Sequence, residues 1–365
     1  MQLLTRTRSR TSPIGLDLGT RGVRAVQLVH TAQGWSLTTL ARLEWRLPES
    51  AKNAAAAPAA EQIRSCLSRG AFGGRAAVTA LGSKDLEYQS LELPEALTAE
   101  GTDVGEAIRF EMERLMTLGD GNVQIRHWLL PPTTVPAPNA LGVVAKDAAV
   151  LDAVGLCASA GLRCQGVDSA GAALCRLGAA LRPPPPNEVW GMLDLGAQQT
   201  RVVVCVNEVP VVVRPIAAGG EAWTQLIAEA LELSVASAEV HKCEHGIALS
   251  GRGIRAEQST GVGGELANLL LGALRPELNR LAAGLKQSYE YALSCYPARQ
   301  AGDLMLTGGG AGLRNLPEFL SAALGIPVRR ASAYLGETGC RLNLGATPPS
   351  ALPGFALAAG LAMSD

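Results

Sequence analysis

The sequence contains no G-x-x-x-x-G-K-[ST] phosphate loop and no G-x-S-x-G nucleophile elbow. Those absences exclude the P-loop ATPases and the serine hydrolases built on that elbow. The eight cysteines, at 66, 157, 164, 175, 205, 243, 295 and 340, include no C-x-x-C pair. They read as reduced, buried small hydrophobes. An excess of one charge is missing too: the net charge is −1, which sets up no field favouring nucleic acid or an anionic bilayer. No apolar window reaches the ~18–20 residues of a membrane span. The apolar run behind Arg6, Arg8 and Arg10 is broken at Asp17, which removes any signal-peptide core. The expectation is a cytoplasmic protein with a basic disordered tail over 1–12, no nucleic-acid partner and no membrane span of its own.

With 365 residues, 47% of them hydrophobic, the chain is long enough for two domains. Three β-prone runs, Ile14–Asp17, Val23–Val29 and Trp35–Leu43, predict an antiparallel meander, followed by a helix at about 59–69 and the strand "RAAVTAL". Residues 83–146 change texture: strand, helix, strand, the loop "PPTTVPAPN" and strand again read as a small α+β insertion,. Helices at about 147–160 and 169–181 flank the strand "RCQGVD". The run "RPPPPNE" at 182–188 is a stiff linker,. Past it the opening pattern returns as "VWGMLDLG", "TRVVVCV" and "VPVVVRPIA", then Gly219, Gly220 and a helix. A repeated meander and helix imply two pseudo-symmetric halves. Helices at about 236–245 and 263–297 precede a strand, glycine turn and helix in "DLMLTGGGAGLRNLPEFLSAAL".

Two apolar runs end alike, in "IGLDLGTRGV" and "MLDLGAQQT". An aspartate at a strand end, followed by a glycine turn, leaves backbone N–H groups pointing into one concavity able to hold phosphate oxygens. Thr20 adds a hydroxyl, and Asp17 meets a phosphate only through a cation, so its task is to hold Mg²⁺ through water. A plain hairpin turn explains either motif alone. Two of them at equivalent places of two halves would grip a polyphosphate across an interdomain cleft. Gly308, Gly309 and Gly310 follow an apolar strand, where backbone without side chains lets a ring or ribose lie against it; a loose strand-to-helix connection is the plainer alternative. In "HKCEH", His241 and His245 stand at the i, i+4 spacing of a metal pair, but Lys242 lies between them and no second ligand cluster is evident. Tyr289 and Tyr291 lie in a run of helical spacing that reads as a helix crossing the interdomain floor.

These residues resemble the actin-like ATPase superfamily, whose pattern is two Asp-x-Gly turns, phosphate-1 and phosphate-2, with a glycine-rich adenosine turn. Within it the sequence is similar to the PilM family of type IV pilus assembly proteins over about 13–363. The segments "IGLDLGTRGVRAVQL", "LGVVAKDAAVLDAVGLCASAGLRCQGVD", "IAAGGEAWTQLIAEALELSVASAEVHK" and "LTGGGAGLRNLPEFLSAALGIPV" carry the likeness. The resemblance implies an α/β actin-like fold of two pseudo-symmetric RNase H-like lobes around a nucleotide cleft. Lobe I would hold 13–82 and 147–181, with 350–365 returning to it; 83–146 would be an inserted, 1C-like subdomain, and 189–349 lobe II. It implies ATP and Mg²⁺ as ligands, with Asp17 the magnesium-water ligand and Gly19, Thr20 and Arg21 in the phosphate-1 turn. Arg24 stands where relatives carry lysine, a cation of different reach. Asp194, Gly196, Ala197 and Thr200 match the phosphate-2 turn, Gly220 the glycine pair before the next helix, and Glu239 and Lys242 positions near ribose and adenine. Gly308 to Gly310 match the adenosine turn. Arg21 and the pair Gln198 and Gln199 depart from the family pattern, which bears on hydrolysis more than on binding.

By the same resemblance the chain would serve the pilus inner-membrane platform, held at the membrane through a PilN-like protein whose N-terminal peptide it grips beside the insertion. Self-association is compatible with it. Turnover is expected to be slow or absent, because no residue is identifiably placed to position an attacking water. A sugar-kinase-type phosphotransferase is the alternative, and it lacks a further cleft carboxylate for a base. An FtsA-like division protein would end in a basic amphipathic helix, whereas "PGFALAAGLAMSD" has no basic face,.

Overall fold

The computed structural model describes residues 10–45, 56–94, 104–115, 122–249 and 262–364. Residues 1–9 of the tail expected to be disordered over 1–12 lie outside them, whereas Arg10 and Thr11 correct that expectation by pairing as a strand with His30 and Val29. The strands are β1 (Arg10–Thr11), β2 (Ile14–Gly19), β3 (Gly22–Thr31), β4 (Gly34–Glu44), β5 (Ala76–Ala80), β6 (Leu86–Leu91), β7 (Val123–Leu129), β8 (Ala140–Lys146), β9 (Arg163–Asp168), β10 (Glu188–Leu195), β11 (Thr200–Val206), β12 (Val209–Ile216), β13 (Gln300–Thr307), β14 (Val328–Arg330) and β15 (Leu342–Asn343). The helices are α1 (Ala56–Leu67), α2 (Gly105–Leu115), α3 (Asp147–Ser159), α4 (Ala170–Leu181), α5 (Gly220–Ala230), α6 (Val235–His245), α7 (Val262–Cys295), α8 (Leu316–Leu324) and α9 (Leu352–Ala362).

The first sheet runs β15-β4-β3-β2-β5-β9, with β1 beside β3, and the second runs β12-β11-β10-β13-β14. Each is an antiparallel meander whose first strand then pairs in parallel with a later one, β2 with β5 and β10 with β13. That shared order, third-second-first-fourth, is the doubled unit announced by the repeated "DLG". The strands read as continuous apolar runs because both faces are covered: "TRVVVCV" of β11 is buried from Val202 to Val206,.

Helices α4 and α9 fill the space between the sheets. Apolar at every turn, they join one core that takes Val26 and Leu28 from the first sheet and Trp190, Met192 and Val203 from the second. A helix hydrophobic all round has to be buried, and that is why the last segment docks on β2 and α4. The approach is close enough to need glycine: a Cβ on Gly15 would sit 1.9 Å from the Ala358 carbonyl oxygen, and one on Gly360 2.1 Å from that of Ala173. The chain rejoins the first sheet at Leu342, which pairs with Trp35, ahead of residue 350. Arg182 anchors the proline linker by gripping Glu188 at 3.0 Å and Asp303 at 2.5 Å.

A third sheet, β6-β8-β7, packs with α2 around Ile108 and Met112 and forms the small insertion. It touches the second lobe as well as the first. Trp128 Nε1 donates to the Pro210 carbonyl at 2.8 Å, and the Tyr296 hydroxyl to that of Pro131 at 3.1 Å. Most cysteines are buried or half-buried, as expected, but Cys243 is exposed on α6. No described helix is long and apolar enough to cross a membrane.

Candidate functional site

A cleft of about 470 Å³ opens between the two meanders, within the ~300–1,000 Å³ of small-molecule sites. Asp17, Gly19, Thr20, Arg21 and Arg24 line it from the first lobe. Asp194, Gly196, Ala197, Gly220, Glu239, Lys242 and Gly308 to Gly310 line it from the second. Strand alternation turns Asp17 and Asp194 into the cleft at the ends of the first strands of both lobes.

Each aspartate has a cross-strand arginine. Arg24 faces Asp17 in the β2–β3 register and donates to it at 3.2 Å; Arg201 faces Asp194 in the β10–β11 register at 3.4 Å. The parallel neighbour strand repeats the symmetry, Thr79 donating to the Leu16 carbonyl at 2.9 Å and Thr307 to the Leu193 carbonyl at 3.2 Å. Burial pushes both aspartate carboxyls above their ordinary range; the arginines pull them back, and for Asp17 the charge of Asp194 pushes up again. Two carboxylates turned into one cleft form an oxygen donor set suited to a hard divalent cation.

At the α5–α6 wall of the cleft, Lys242 is almost fully buried. Its Nζ donates to the Gly220 carbonyl at 2.9 Å, to Thr224 Oγ1 at 2.6 Å and to Glu239 Oε2 at 2.7 Å. Burial works to raise the Glu239 carboxyl, but hydrogen bonds from Lys242 and Thr224 outweigh it and hold it below the usual range. The Gly220 N–H donates to the Gly196 carbonyl at 3.1 Å, so the start of α5 is tied to the turn that follows Asp194. Gly308 has φ +81°, and a Cβ there would come within 2.4 Å of the Leu195 carbonyl oxygen, whereas a Cβ on Gly309 would meet nothing within 4 Å. The glycine turn therefore packs with one residue and leaves open space at the next.

Thr200 is a correction. Its side chain is fully buried and its hydroxyl donates to the Ala218 carbonyl at 2.8 Å, so it staples β11 to the segment before α5 instead of lining the cleft. Sequence reasoning missed Arg201, Arg42, Trp223 and Trp45. Arg201 had a signal: it follows Asp194 by the same seven residues that separate Arg24 from Asp17. Trp45, whose Nε1 donates to the Gly19 carbonyl at 2.7 Å, and Trp223, whose buried Nε1 finds no acceptor among the described residues, had none. His241 and His245 lie 5.6 Å apart between ring centroids, and among the described residues no three His, Cys, Asp or Glu converge on a metal site.

The residues fit a magnesium nucleotide. Five cations (Arg21, Arg24, Arg42, Arg201, Lys242) and four carboxylates (Asp17, Glu44, Asp194, Glu239) line the cleft, a small positive excess that matches a polyphosphate only when a divalent cation shares its charge. A second groove, of about 510 Å³, runs between the insertion and the first lobe. Five consecutive residues of β9, from Cys164 to Asp168, line it together with Arg126 and Trp128 of β7 and Val150 and Val154 of α3. Since β9 ends the first sheet, a strand edge with no partner among the described residues accompanies the groove.

A family model for type IV pilus assembly protein PilM matches residues 15–251, and one for cell division protein FtsA matches residues 192–360. The structure is similar to that of a PilM-PilN type IV pilus biogenesis complex, at 23% identity over 96% of this chain and 98% of that one, with a TM-score of 0.72. Ethanolamine utilization protein EutJ from Carboxydothermus hydrogenoformans is similar at 15% identity, over 97% of this chain and 89% of that one, with a TM-score of 0.51. None of the curated proteins matches the sequence. The likenesses establish an actin-like ATPase fold with two lobes of mixed α/β structure.

Proposed function

The chain belongs to the PilM family of type IV pilus assembly proteins, and from that premise we propose that it binds ATP with Mg²⁺ in the interlobe cleft. The observation that carries this reading is the symmetric pair of aspartates, Asp17 and Asp194, each half-buried at the end of a first strand and each held by the arginine seven residues on. Asp17 holds the cation through water, and the glycine turns at Gly19 and Gly196 offer backbone donors to the phosphates. Arg24 and Arg201 then have anionic partners on both sides. The N-terminus of α5 at Gly220 adds its dipole. Gly308 to Gly310 receive the adenosine, with Glu239 and Lys242 beside it. Bound Mg²⁺ would supply charge neutralisation between carboxylates and phosphates.

The same reading assigns the second groove to the N-terminal peptide of a PilN-like inner-membrane protein, which places a cytoplasmic protein at the membrane through its partner. The support is the apolar lining from Trp128, Val150 and Val154 beside the open edge of β9, a surface suited to an extended segment. Such an assembly role needs binding and lobe closure, and hydrolysis is slow or absent in it. Closure follows from the extra affinity of the nucleotide for the closed arrangement.

Calorimetric titration of ATP with Mg²⁺ tests the cleft. Asp17→Ala and Asp194→Ala should each lose ~10–100-fold in affinity, the loss of a charge-assisted contact network. Unchanged binding in both variants would sink the assignment. Titration of the partner peptide, with and without ATP, tests the groove separately.

A further inference from the structure

The two lobes repeat one cross-strand row and end it differently. In the first lobe Asp17 of β2 lies opposite Arg24 of β3, and Arg24 lies opposite Arg42 of β4. In the second lobe Asp194 of β10 lies opposite Arg201 of β11, and Arg201 lies opposite Pro215 of β12. Residues opposed in register share a face of the sheet, and Asp17, Arg24 and Arg42 all line the cleft. The row of the second lobe is balanced, because Arg201 pairs with Asp194 at 3.4 Å and the third place is uncharged. The row of the first lobe carries one cation more. Asp17 takes Arg24 at 3.2 Å, whereas the exposed guanidinium of Arg42 has no ion-pair or hydrogen-bond partner among the described residues. Glu44, two places along β4 and also at the cleft, makes no ion pair with it.

We propose that Arg42 grips the terminal phosphate of a nucleoside triphosphate, sharing it with Arg24, and so sets a preference for ATP over ADP. The proposal rests on the nucleotide reading of the cleft and adds a specificity residue to it. Like charges directly opposite one another on neighbouring strands destabilise a sheet, and the second lobe shows that the repeated unit folds with a proline in that place. The fold therefore gains nothing from the charge of Arg42, whereas an anion held between the two guanidinium groups turns their repulsion into two attractions. A triphosphate differs from a diphosphate by one phosphoryl group at its free end, with the negative charge that group brings. The first lobe differs from the second by one guanidinium on the cleft wall, two strand spacings or about 10 Å from the strand of Asp17. With adenosine assigned to Gly308 to Gly310 on the opposite wall, the row from Asp17 to Arg42 is left for the far end of the polyphosphate. The planar fork of arginine suits two oxygens of one phosphate, which makes the contact selective as well as attractive.

Calorimetric titrations of the full chain with ATP and with ADP, each with Mg²⁺, compare wild type with Arg42→Ala and Arg42→Gln. ATP affinity should fall ~10-fold in both variants while ADP affinity stays within ~2-fold of wild type. The urea midpoint of the ligand-free variants should hold or rise, because the repulsion between Arg24 and Arg42 is relieved. Unchanged ATP affinity would overturn the proposal, and so would equal losses for ATP and ADP, and either result leaves the nucleotide reading of the cleft standing. Equal losses together with a lowered urea midpoint would make Arg42 a part of the fold. A wild-type chain that binds neither nucleotide would overturn the cleft reading and this proposal together, and the wild-type titration alone distinguishes that case.

Discussion

Arg21, in the turn between β2 and β3, donates to Glu221 in the first turn of α5 at 2.8 Å and so joins the two lobes across the exposed rim of the cleft. Glu239 stands 3.7 Å from the same guanidinium. A second link crosses nearby, between the Ser83 hydroxyl and the Gln199 side chain of the phosphate-2 turn. Arg21 and Gln199, which the sequence reading set apart from the family pattern, both take part in links across this rim.

Because the Arg21 pair is exposed, it contributes at most ~1 kcal/mol. Arg21→Ala is therefore expected to weaken ATP by less than ~5-fold, with the difference from wild type shrinking further as salt is raised. A loss as large as that of Asp17→Ala would mean that Arg21 grips the phosphates directly.

Thr200→Val separates a staple from a ligand contact. Removing the hydroxyl leaves the Ala218 carbonyl without its 2.8 Å donor inside the fold, which costs ~1–3 kcal/mol. The urea midpoint should fall while calorimetric ATP affinity stays at the wild-type value. The opposite pattern would return Thr200 to the phosphate turn.

Much of the fold was legible because it is written twice. The order of β-prone runs after "IGLDLG" recurs after "MLDLG", and the burial of β10 and β11 follows from their nearly continuous apolar runs, "VWGML" and "VVVCV". Asp17 and Asp194 were legible for the same reason, and so was Arg201, had the spacing of seven been counted in both copies. Thr200 misled because the turn motif is one-dimensional. The four-residue turn from Gly196 to Gln199 sets the register in which Thr200 pairs with Leu195, and that register turns its side chain into the core. Trp223 and Arg42 enter the cleft only through packing of α5 and β4, and no local pattern encodes that.

Glu239 gives a pH signature. Its carboxyl is held below the ordinary value of 4.5 by Lys242 and Thr224 in the folded chain, against the pull of burial. It therefore adds stability at pH above that value, and the contribution disappears as pH falls through the depressed folded value. Glu239→Gln should melt below wild type at neutral pH, and the gap in Tm should close in acid. A gap independent of pH would assign the loss to packing and not to charge.

The two neighbouring glycines Gly308 and Gly309, in the turn proposed to receive the adenosine, are expected to behave oppositely. At Gly308, φ +81° and ψ 171° lie in a region open to glycine alone, and a Cβ would press on the Leu195 carbonyl. Gly308→Ala should cost ~2 kcal/mol or more in urea unfolding. At Gly309 the backbone tolerates a side chain and nothing stands within 4 Å of the added methyl, so Gly309→Ala should keep stability to within ~0.5 kcal/mol. The methyl then occupies space that the cleft offers to adenosine, and ATP affinity should drop with the fold intact. If Gly309→Ala binds ATP as wild type does, the open space beside it is not where the nucleoside lies, and the glycine run serves only the packing of Gly308 on Leu195.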